Sequence, residues 1–194
     1  MGKKGLTKEN IIEGAIKLVS KKGYKGFSLR ELASTLDVKP ASLYNHISGI
    51  EEINTAVGLF AIHELEEVLL QSIEGKTFRD ALMDMSLAYR KFAMDNFQLY
   101  ETILQLPMSD DELLKGELHR VVKPFIMVLN LQIREENLVN RYQRMLRSTI
   151  HGFITLEASG FLKHCSEASG ESFKIIIRDL IDIIERTGDV KSNG

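Results

Sequence analysis

The sequence predicts an all-α protein with about nine helices. Apolar residues recur at i, i+3, i+4 and i+7 in one segment after another, which is the spacing of one helix face. The 194 residues include only three prolines, and no segment alternates between apolar and polar residues as a half-buried strand does. With 44% hydrophobic and 27% charged residues, the composition is ordinary for a globular chain and unlike that of a disordered one.

Three short helices are predicted at the N-terminal end. Thr7 is a suitable N-cap for the first, and Gly23 after two lysines is a stop signal. Ser28 can cap the second helix, Asp37 interrupts it, and Pro40 fits the first turn of the third, where a missing N–H costs nothing. The apolar positions at helical spacing are Ile12, Ala15, Ile16, Val19, Leu29, Leu32, Ala33, Leu36, Leu43 and Ile47. Two short helices joined by a tight turn, with another beside them, form a helix-turn-helix.

Six further helices are expected after these three. Their apolar positions and end signals place them at about 51–72, 77–92, 97–104, 109–129, 138–160 and 173–184. Ser109 and Asp110 can start the fourth of them, and Pro124 should kink it. We expect the tail 188–194 to fray.

Charge is unevenly distributed along the chain. Residues 1–48 hold nine Lys or Arg and four Asp or Glu, a net +5 that leaves −7 for the remainder of a chain of net charge −2. A basic N-terminal quarter on an acidic body indicates a module that binds a polyanion. A solvated helix face with a basic tail explains the same charges equally well.

The third helix has the small, polar outward face that an element entering the major groove of DNA needs. That face consists of Lys39, Ala41, Ser42, Tyr44, Asn45 and His46, while Leu43 and Ile47 point inward. Any small three-helix bundle would satisfy the pattern alone. The specific residues carry more information, in particular the run from Phe27 to Ala33 and the run from Val38 to Ile47. Together with Leu6, Thr7, Ile12, Ala15, Leu18 and Gly23, these runs resemble the DNA-binding domain of the TetR family of bacterial transcriptional regulators.

The resemblance covers residues 6–54 and implies roles for individual residues. Ser28 and Leu29 would approach a phosphate, and Arg30 would contact a base or a phosphate. Lys39, Pro40, Ala41 and Ser42 would open the recognition helix. Tyr44 and His46 would contact phosphates, and Asn45 can bind adenine through two hydrogen bonds. The alternatives are that Tyr44 packs between helices, that His46 is a residue favoured by the helix dipole, and that Asn45 is a solvated cap.

Two positions depart from the family pattern. Asp37 stands where family members usually have glycine in the turn, and aspartate tolerates the left-handed conformation better than most residues. Ile50, followed by Glu51 and Glu52, stands where a lysine typically binds phosphate. The loss of that contact should weaken DNA binding, and the basic tail Lys3–Lys4 is a candidate replacement.

The C-terminal part resembles a TetR subgroup that carries a Trp…His-Gly signature. The resemblance rests on Arg147–Glu157, Gly160–Phe161 and Glu171–Phe173; the chain keeps His151–Gly152 and has no tryptophan. It implies a homodimer through the last two helices, and the wide apolar arc of the last one agrees. The expected interface residues are Met145, Thr149, Phe153, Leu156, Phe173, Ile176, Ile177, Leu180, Ile181 and Ile184. The alternative for the last helix is complete burial within one subunit.

The resemblance also implies an effector pocket among the middle helices. Its candidate lining is Tyr89, Phe92, Phe97, Tyr100, Phe125, Met127, Met145 and His151. Because the lining is mostly apolar, a hydrophobic or aromatic effector is favoured. Ordinary core packing is the alternative for each apolar residue, and a hydrogen-bonded interhelical histidine for His151.

The predicted organisation is therefore a DNA-binding domain at 1–50, an effector-binding and dimerisation domain at 51–187, and a tail. The predicted function is repression from a near-palindromic operator that the effector releases; an activator or a helical scaffold is the alternative. An enzyme is disfavoured because the five histidines are scattered, Cys165 is the one cysteine, and no Gly-rich phosphate loop or HExxH motif is present. We expect no cofactor, no metal, no membrane span and a cytoplasmic location.

Overall fold

The computed structural model describes residues 5–106, 112–164 and 167–189, and this part of the chain is helical without a strand. It contains ten helices, which confirms the all-α prediction. They are α1 (Lys8–Lys22), α2 (Leu29–Thr35), α3 (Pro40–Leu43), α4 (Ile50–Ile73), α5 (Phe78–Asp95), α6 (Phe97–Leu104), α7 (Glu112–His119), α8 (Lys123–Leu129), α9 (Glu136–Ala158) and α10 (Ser169–Asp189). The predicted helix start at Ser109–Asp110, the basic residues Lys3–Lys4, Cys165 and the end of the tail lie outside the described residues.

The tenth helix arises because the segment predicted at 109–129 is divided in two. The prediction that Pro124 kinks one continuous helix is wrong. Instead α7 ends at His119 and α8 begins at Lys123, with Pro124 in its first turn. A proline in the middle of a helix leaves a carbonyl without a partner and clashes with it, whereas in the first turn it does neither.

The signals at the ends of α1 and α2 act as predicted. The Thr7 Oγ1 accepts a hydrogen bond from the Asn10 N–H at 3.3 Å, and the Ser28 Oγ accepts one from the Glu31 N–H at 3.3 Å. Gly23 ends α1 at φ 77°, where its N–H donates to the Val19 carbonyl at 2.8 Å. A residue with a Cβ would be strained at this φ, so glycine fixes where the chain leaves α1.

The described chain forms two compact units. Unit 1 is Met1–His63 with Asn96–Glu117, and unit 2 is Glu64–Asp95 with Leu118–Gly194. Helix α6 therefore belongs to the same compact unit as the N-terminal helices and packs on α1. The predicted functional boundary at residue 50 stays a prediction, because compactness does not report where an effector or DNA binds.

The core of unit 1 fixes the orientation of the three N-terminal helices. Its buried residues from these helices are Ile11, Ala15, Leu18, Val19, Leu32, Ala33, Leu43 and Ile47. Ile12 and Ile16, predicted for the buried face of α1, are only half-buried. The buried face of α1 consists instead of Ile11, Gly14, Ala15, Leu18 and Val19.

In unit 2, the helices α5, α8, α9 and α10 pack against one another. Phe125 and Phe173 are fully buried in it. The rings of Phe153 and Phe173 meet edge to face at 5.1 Å, a favoured aromatic geometry. Arg90 and Glu157 add a half-buried ion pair that joins α5 to α9. In the described part of the chain, no helix is long and apolar enough to cross a bilayer.

Candidate nucleic-acid interface

Helices α2 and α3 and the turn between them form the predicted helix-turn-helix. Asp37 adopts φ 54° in this turn, so it occupies the left-handed conformation for which glycine was expected. The Val38 N–H donates to the Ala33 carbonyl at 3.0 Å and holds the turn against α2. An aspartate in this conformation carries some strain, but the turn keeps the geometry that positions α3.

The recognition segment is anchored by two apolar side chains. Leu43 is fully buried and Ile47 nearly so, which confirms that both point inward. The chain continues beyond the single turn of α3 through hydrogen bonds from the His46 and Ile47 N–H groups to the Leu43 carbonyl, at 2.9 and 3.1 Å. With this side held in the core, the opposite side of the segment faces outward.

The ten residues predicted to contact DNA all retain accessible surface. Leu29 and Ser42 are half-buried, and the exposed ones are Ser28, Arg30, Lys39, Pro40, Ala41, Tyr44, Asn45 and His46. Tyr44 is 59% exposed, which excludes the alternative that it packs between helices. The geometry brings these residues together on α2, α3 and the adjoining turns; their contact with DNA stays a prediction.

A network around Glu52 fixes the segment between α3 and α4. One carboxylate oxygen accepts from both the N–H and the Oγ of Ser48, each at 2.7 Å, and the other accepts from the Lys8 ammonium. Lys8 and the two Ser48 donors lower the pKa of Glu52 to about 2. The carboxylate therefore ties the start of α1 to the end of the recognition segment. This role of Glu52 was not predicted, although the four-residue spacing of Ser48 and Glu52 at a helix start is a signal for it.

Four of the basic residues of unit 1 form two groups. Lys8 pairs with Glu52, and Lys22 pairs with Glu31 at 2.5 Å. Arg30 and Lys39 are exposed and have no acidic partner within the residues that the structure describes. The first group stabilises the helix-turn-helix from within, and the second offers positive charge to an external anion.

Several predicted dimer residues must be reassigned. Phe173, Ile177, Ile181 and Ile184 are fully buried within the single chain, so they have no surface to offer to a partner, and their assignment to an interface is corrected. They are buried because α10 packs on both α5 and α9. The other predicted residues keep surface and stay candidates: Met145, Thr149, Phe153, Leu156, Ile176 and Leu180. Sequence reasoning left out Ile183, which is 47% exposed on α10.

The predicted effector lining is divided between the two compact units. Phe97 and Tyr100 belong to unit 1, whereas the other six candidates belong to unit 2. Tyr89, Phe92, Tyr100 and Phe125 are buried, and the rings of Tyr89 and Phe125 lie 6.2 Å apart as in ordinary core packing. Met145 and His151 are half-buried on α9, where burial and the charge of Arg147 lower the pKa of His151.

Of the predicted effector residues, Met127 lines a groove of unit 2. This groove has a volume of about 480 Å³ and lies between the end of α4, the start of α5 and α8. Its lining is largely apolar and comprises Leu70, Gln71, Ile73, Glu74, Lys76, Ala81, Met127, Val128 and Leu131. Met127 is 45% exposed there, so the groove is open to a ligand of small-molecule size.

Comparison with known proteins agrees with this geometry. Residues 11–57 match the family model described as bacterial regulatory proteins, tetR family, and residues 82–180 match the tetracyclin repressor-like C-terminal domain. The chain is 28% identical over 158 residues to the uncharacterized HTH-type transcriptional regulator Rv0681 of Mycobacterium tuberculosis, covering 81% of this chain and 72% of that one. It is also 28% identical over 129 residues to IcaR of Staphylococcus epidermidis, the biofilm operon icaADBC negative transcriptional regulator, covering 66% of each chain.

A solved structure of a protein of unknown function from Rhodococcus sp. RHA1 has the same fold. It superposes with a TM-score of 0.76 at 19% identity, covering 95% of this chain and 96% of that one. The molecule is thus a helix-turn-helix transcriptional regulator. The C-terminal model alone spans half of the chain, and the chain belongs to the TetR family. TetR-family regulators bind DNA operators and small-molecule effectors, typically as dimers. The more specific Trp…His-Gly subgroup stays a prediction.

Proposed function

We propose that this regulator represses transcription by binding a near-palindromic operator as a homodimer. The observation that carries the proposal is the outward face of α2 and α3, where accessible donors surround a segment anchored by Leu43 and Ile47. Arg30 and Lys39 would neutralise phosphates, and Ser28, Tyr44 and His46 would donate hydrogen bonds. The likeness to IcaR, which is named a negative regulator, favours repression over activation.

The proposed dimer uses the exposed apolar rows of α9 and α10. Leu156 and Ile183 are both nearly half exposed, and exposed apolar side chains on neighbouring helices mark an interaction surface. A two-fold axis through such an interface places two recognition segments in successive major grooves, about 34 Å apart. Because the two segments are related by symmetry, the operator would be a near-palindrome.

The proposed effector is a small apolar or aromatic molecule that binds in the groove of unit 2. The apolar lining supports this choice, with Gln71, Glu74 and Lys76 available for polar groups. Binding there would favour a geometry in which the two recognition segments no longer match the groove spacing. A coupling of about 1–3 kcal/mol, or roughly 5–150-fold in DNA affinity, is enough for a useful switch.

The test is fluorescence anisotropy of the purified protein on duplexes that tile the DNA beside its own gene. We expect tight, salt-dependent binding to a near-palindrome that the double variant Arg30→Ala, Tyr44→Phe loses. A reporter under that promoter should rise when the gene is deleted, whereas a fall would identify an activator. If every duplex in a genome-wide selection bound only at the non-specific level, the proposal that the protein regulates transcription by binding an operator would be contradicted. The alternative, a helical scaffold of the same fold, would then be favoured.

A further inference from the structure

The groove of unit 2 combines an apolar lining with a few charged and polar groups. Six of its nine lining residues are apolar, and the other three are Gln71, Glu74 and Lys76. Its volume of about 480 Å³ falls in the range of roughly 300–1,000 Å³ that is usual for small-molecule sites. Because an apolar lining accepts many molecules, the three polar residues decide which charge the groove prefers.

The donors among these three residues are engaged within the protein. The Lys76 ammonium lies 2.8 Å from the Asp84 carboxylate and donates to the Ser72 carbonyl at 2.7 Å. The Gln71 amide group donates to the Glu67 carboxylate at 3.0 Å, which leaves the amide oxygen to accept. The positive charge of Lys76 is thus compensated by a neighbouring carboxylate.

Glu74 is an acceptor without such compensation. It directly follows α4, is exposed, and has no partner within the described part of the chain. The carboxyl end of α4, where the helix dipole is negative, adds to its charge. The positive end of α5 is offset by Asp80 in its first turn, and Arg79 in the same turn pairs with Asp182 and Glu185. The fixed charges around the groove are therefore net negative.

We propose that the groove of unit 2 binds an amphipathic cation, that is, a molecule with an apolar body and one diffuse positive charge. The body packs on the apolar lining beside Met127, and the charge lies near the Glu74 carboxylate and the Gln71 amide oxygen. A diffuse charge suits the edge of an apolar surface because a compact ammonium ion loses more hydration there. This inference names the class of the effector and rests on the proposed function, which places an effector in this groove.

The probes for the test are tetraphenylphosphonium and tetraphenylborate, which have nearly the same size and shape and opposite charges. The full chain is labelled with ¹³C in its methionine methyl groups, and the Met127 signal is assigned by its loss in Met127→Leu. In sodium buffer of low ionic strength, tetraphenylphosphonium shifts this signal. It binds at least about tenfold more tightly than tetraphenylborate, because the Glu74 carboxylate attracts one ion and repels the other.

Glu74→Gln separates an electrostatic role of Glu74 from a structural one. The variant weakens tetraphenylphosphonium binding by about three- to fivefold and strengthens tetraphenylborate binding by a similar factor, as expected for one exposed charge. A change of shape in the groove would weaken both. The matched control is Glu64→Gln, which removes the same charge from an exposed position on α4 outside the groove and leaves both affinities unchanged.

The inference and the proposed function fail in different measurements. Three results overturn the inference: no shift of the Met127 signal up to about 1 mM tetraphenylphosphonium, equal or tighter binding of tetraphenylborate, or equal affinity for the cation in Glu74→Gln and Glu64→Gln. Anisotropy on the operator duplex with and without the cation tests the proposed function. Groove binding that prefers the cation but leaves operator affinity unchanged would support the inference and contradict effector release.

Discussion

Lys39 is expected to contribute to the salt dependence of DNA binding and little to folding. Its side chain is exposed beside the recognition segment and has no acidic partner in the described chain. The logarithm of the association constant falls with the logarithm of salt concentration with a slope of about −0.9 for each phosphate neutralised. If Arg30 contacts one phosphate and Lys39 contacts another in each subunit, a dimer neutralises four phosphates. The slope is then about −3.6.

The variant Lys39→Ala removes two of these contacts from the dimer and should change the slope to about −1.8. Between about 50 and 200 mM salt, the affinity should then fall by about 12-fold, compared with about 150-fold for the unchanged protein. The difference of about 1.8 in slope remains if other lysines add contacts of their own. The measurement is anisotropy on the operator duplex at four or more salt concentrations.

The matched control is Lys91→Ala. Lys91 is a highly exposed lysine on α5, outside the helix-turn-helix, and its removal changes the net charge equally. The slope should stay at its original value in this variant. A slope unaffected by Lys39→Ala would show that Lys39 neutralises no phosphate. An equal change of slope in Lys91→Ala would show that net charge acts in place of a local phosphate contact.

Three further predictions concern folding and assembly. The pKa of Glu52 lies at about 2, below its usual 4.5, so its ionised form stabilises the fold above pH 4.5 and this stabilisation disappears as the pH falls towards 2. In Glu52→Gln, the midpoint of urea unfolding should depend less on pH across that range. An unchanged pH dependence would contradict the stabilising role of the Glu52 carboxylate. Gly58→Ala should destabilise by about 1 kcal/mol, because overpacking of about 1–3 kcal/mol outweighs about 1 kcal/mol of helix propensity: the new Cβ would lie 2.6 Å from the Leu106 Cδ2. The additional change Leu106→Ala should reduce this penalty in a double-mutant cycle of urea-unfolding free energies, leaving only the 3.2 Å approach to the Thr102 carbonyl oxygen; additive effects would refute the contact with Leu106. Ile183→Glu should give a monomer in light scattering, while the control Leu131→Glu, at a still more exposed apolar residue, stays dimeric; a dimer in both would place the interface elsewhere.

The N-terminal helices could be predicted in detail because their signals are local. Thr7 and Ser28 cap the helices that follow them, and Gly23 ends α1, through hydrogen bonds within a few residues of the chain. Pro40 and Pro124 show the limit of such signals. Both lie in the first turn of a helix, but the apolar spacing around Pro124 continued across it and concealed the end of α7.

The faces of α10 could not be assigned from the sequence. Its isoleucines occupy more than one face, so periodicity predicted a helix without showing which face lies inside the subunit. Packing on α5 and α9 buries Ile177 and Ile181 and leaves Ile175 and Ile183 exposed. The groove of unit 2 was unpredictable for a related reason. Aromatic residues at helical spacing predict which side chains are buried. A groove depends on gaps between packed helices, and the spacing of residues along one helix does not report such gaps.

The charge of unit 1 does not translate directly into affinity for DNA. Lys8 and Lys22 form ion pairs with Glu52 and Glu31, so their charges are largely compensated within the protein. At Ile50 we also expect the loss of a phosphate contact that the family pattern would supply. Electrostatic attraction to phosphates, which supplies most non-specific binding, should therefore be modest for this regulator. Its preference for an operator must then rest more on base contacts and neutral donors around α3, so its ratio of specific to non-specific affinity should be high even where its absolute affinity is moderate.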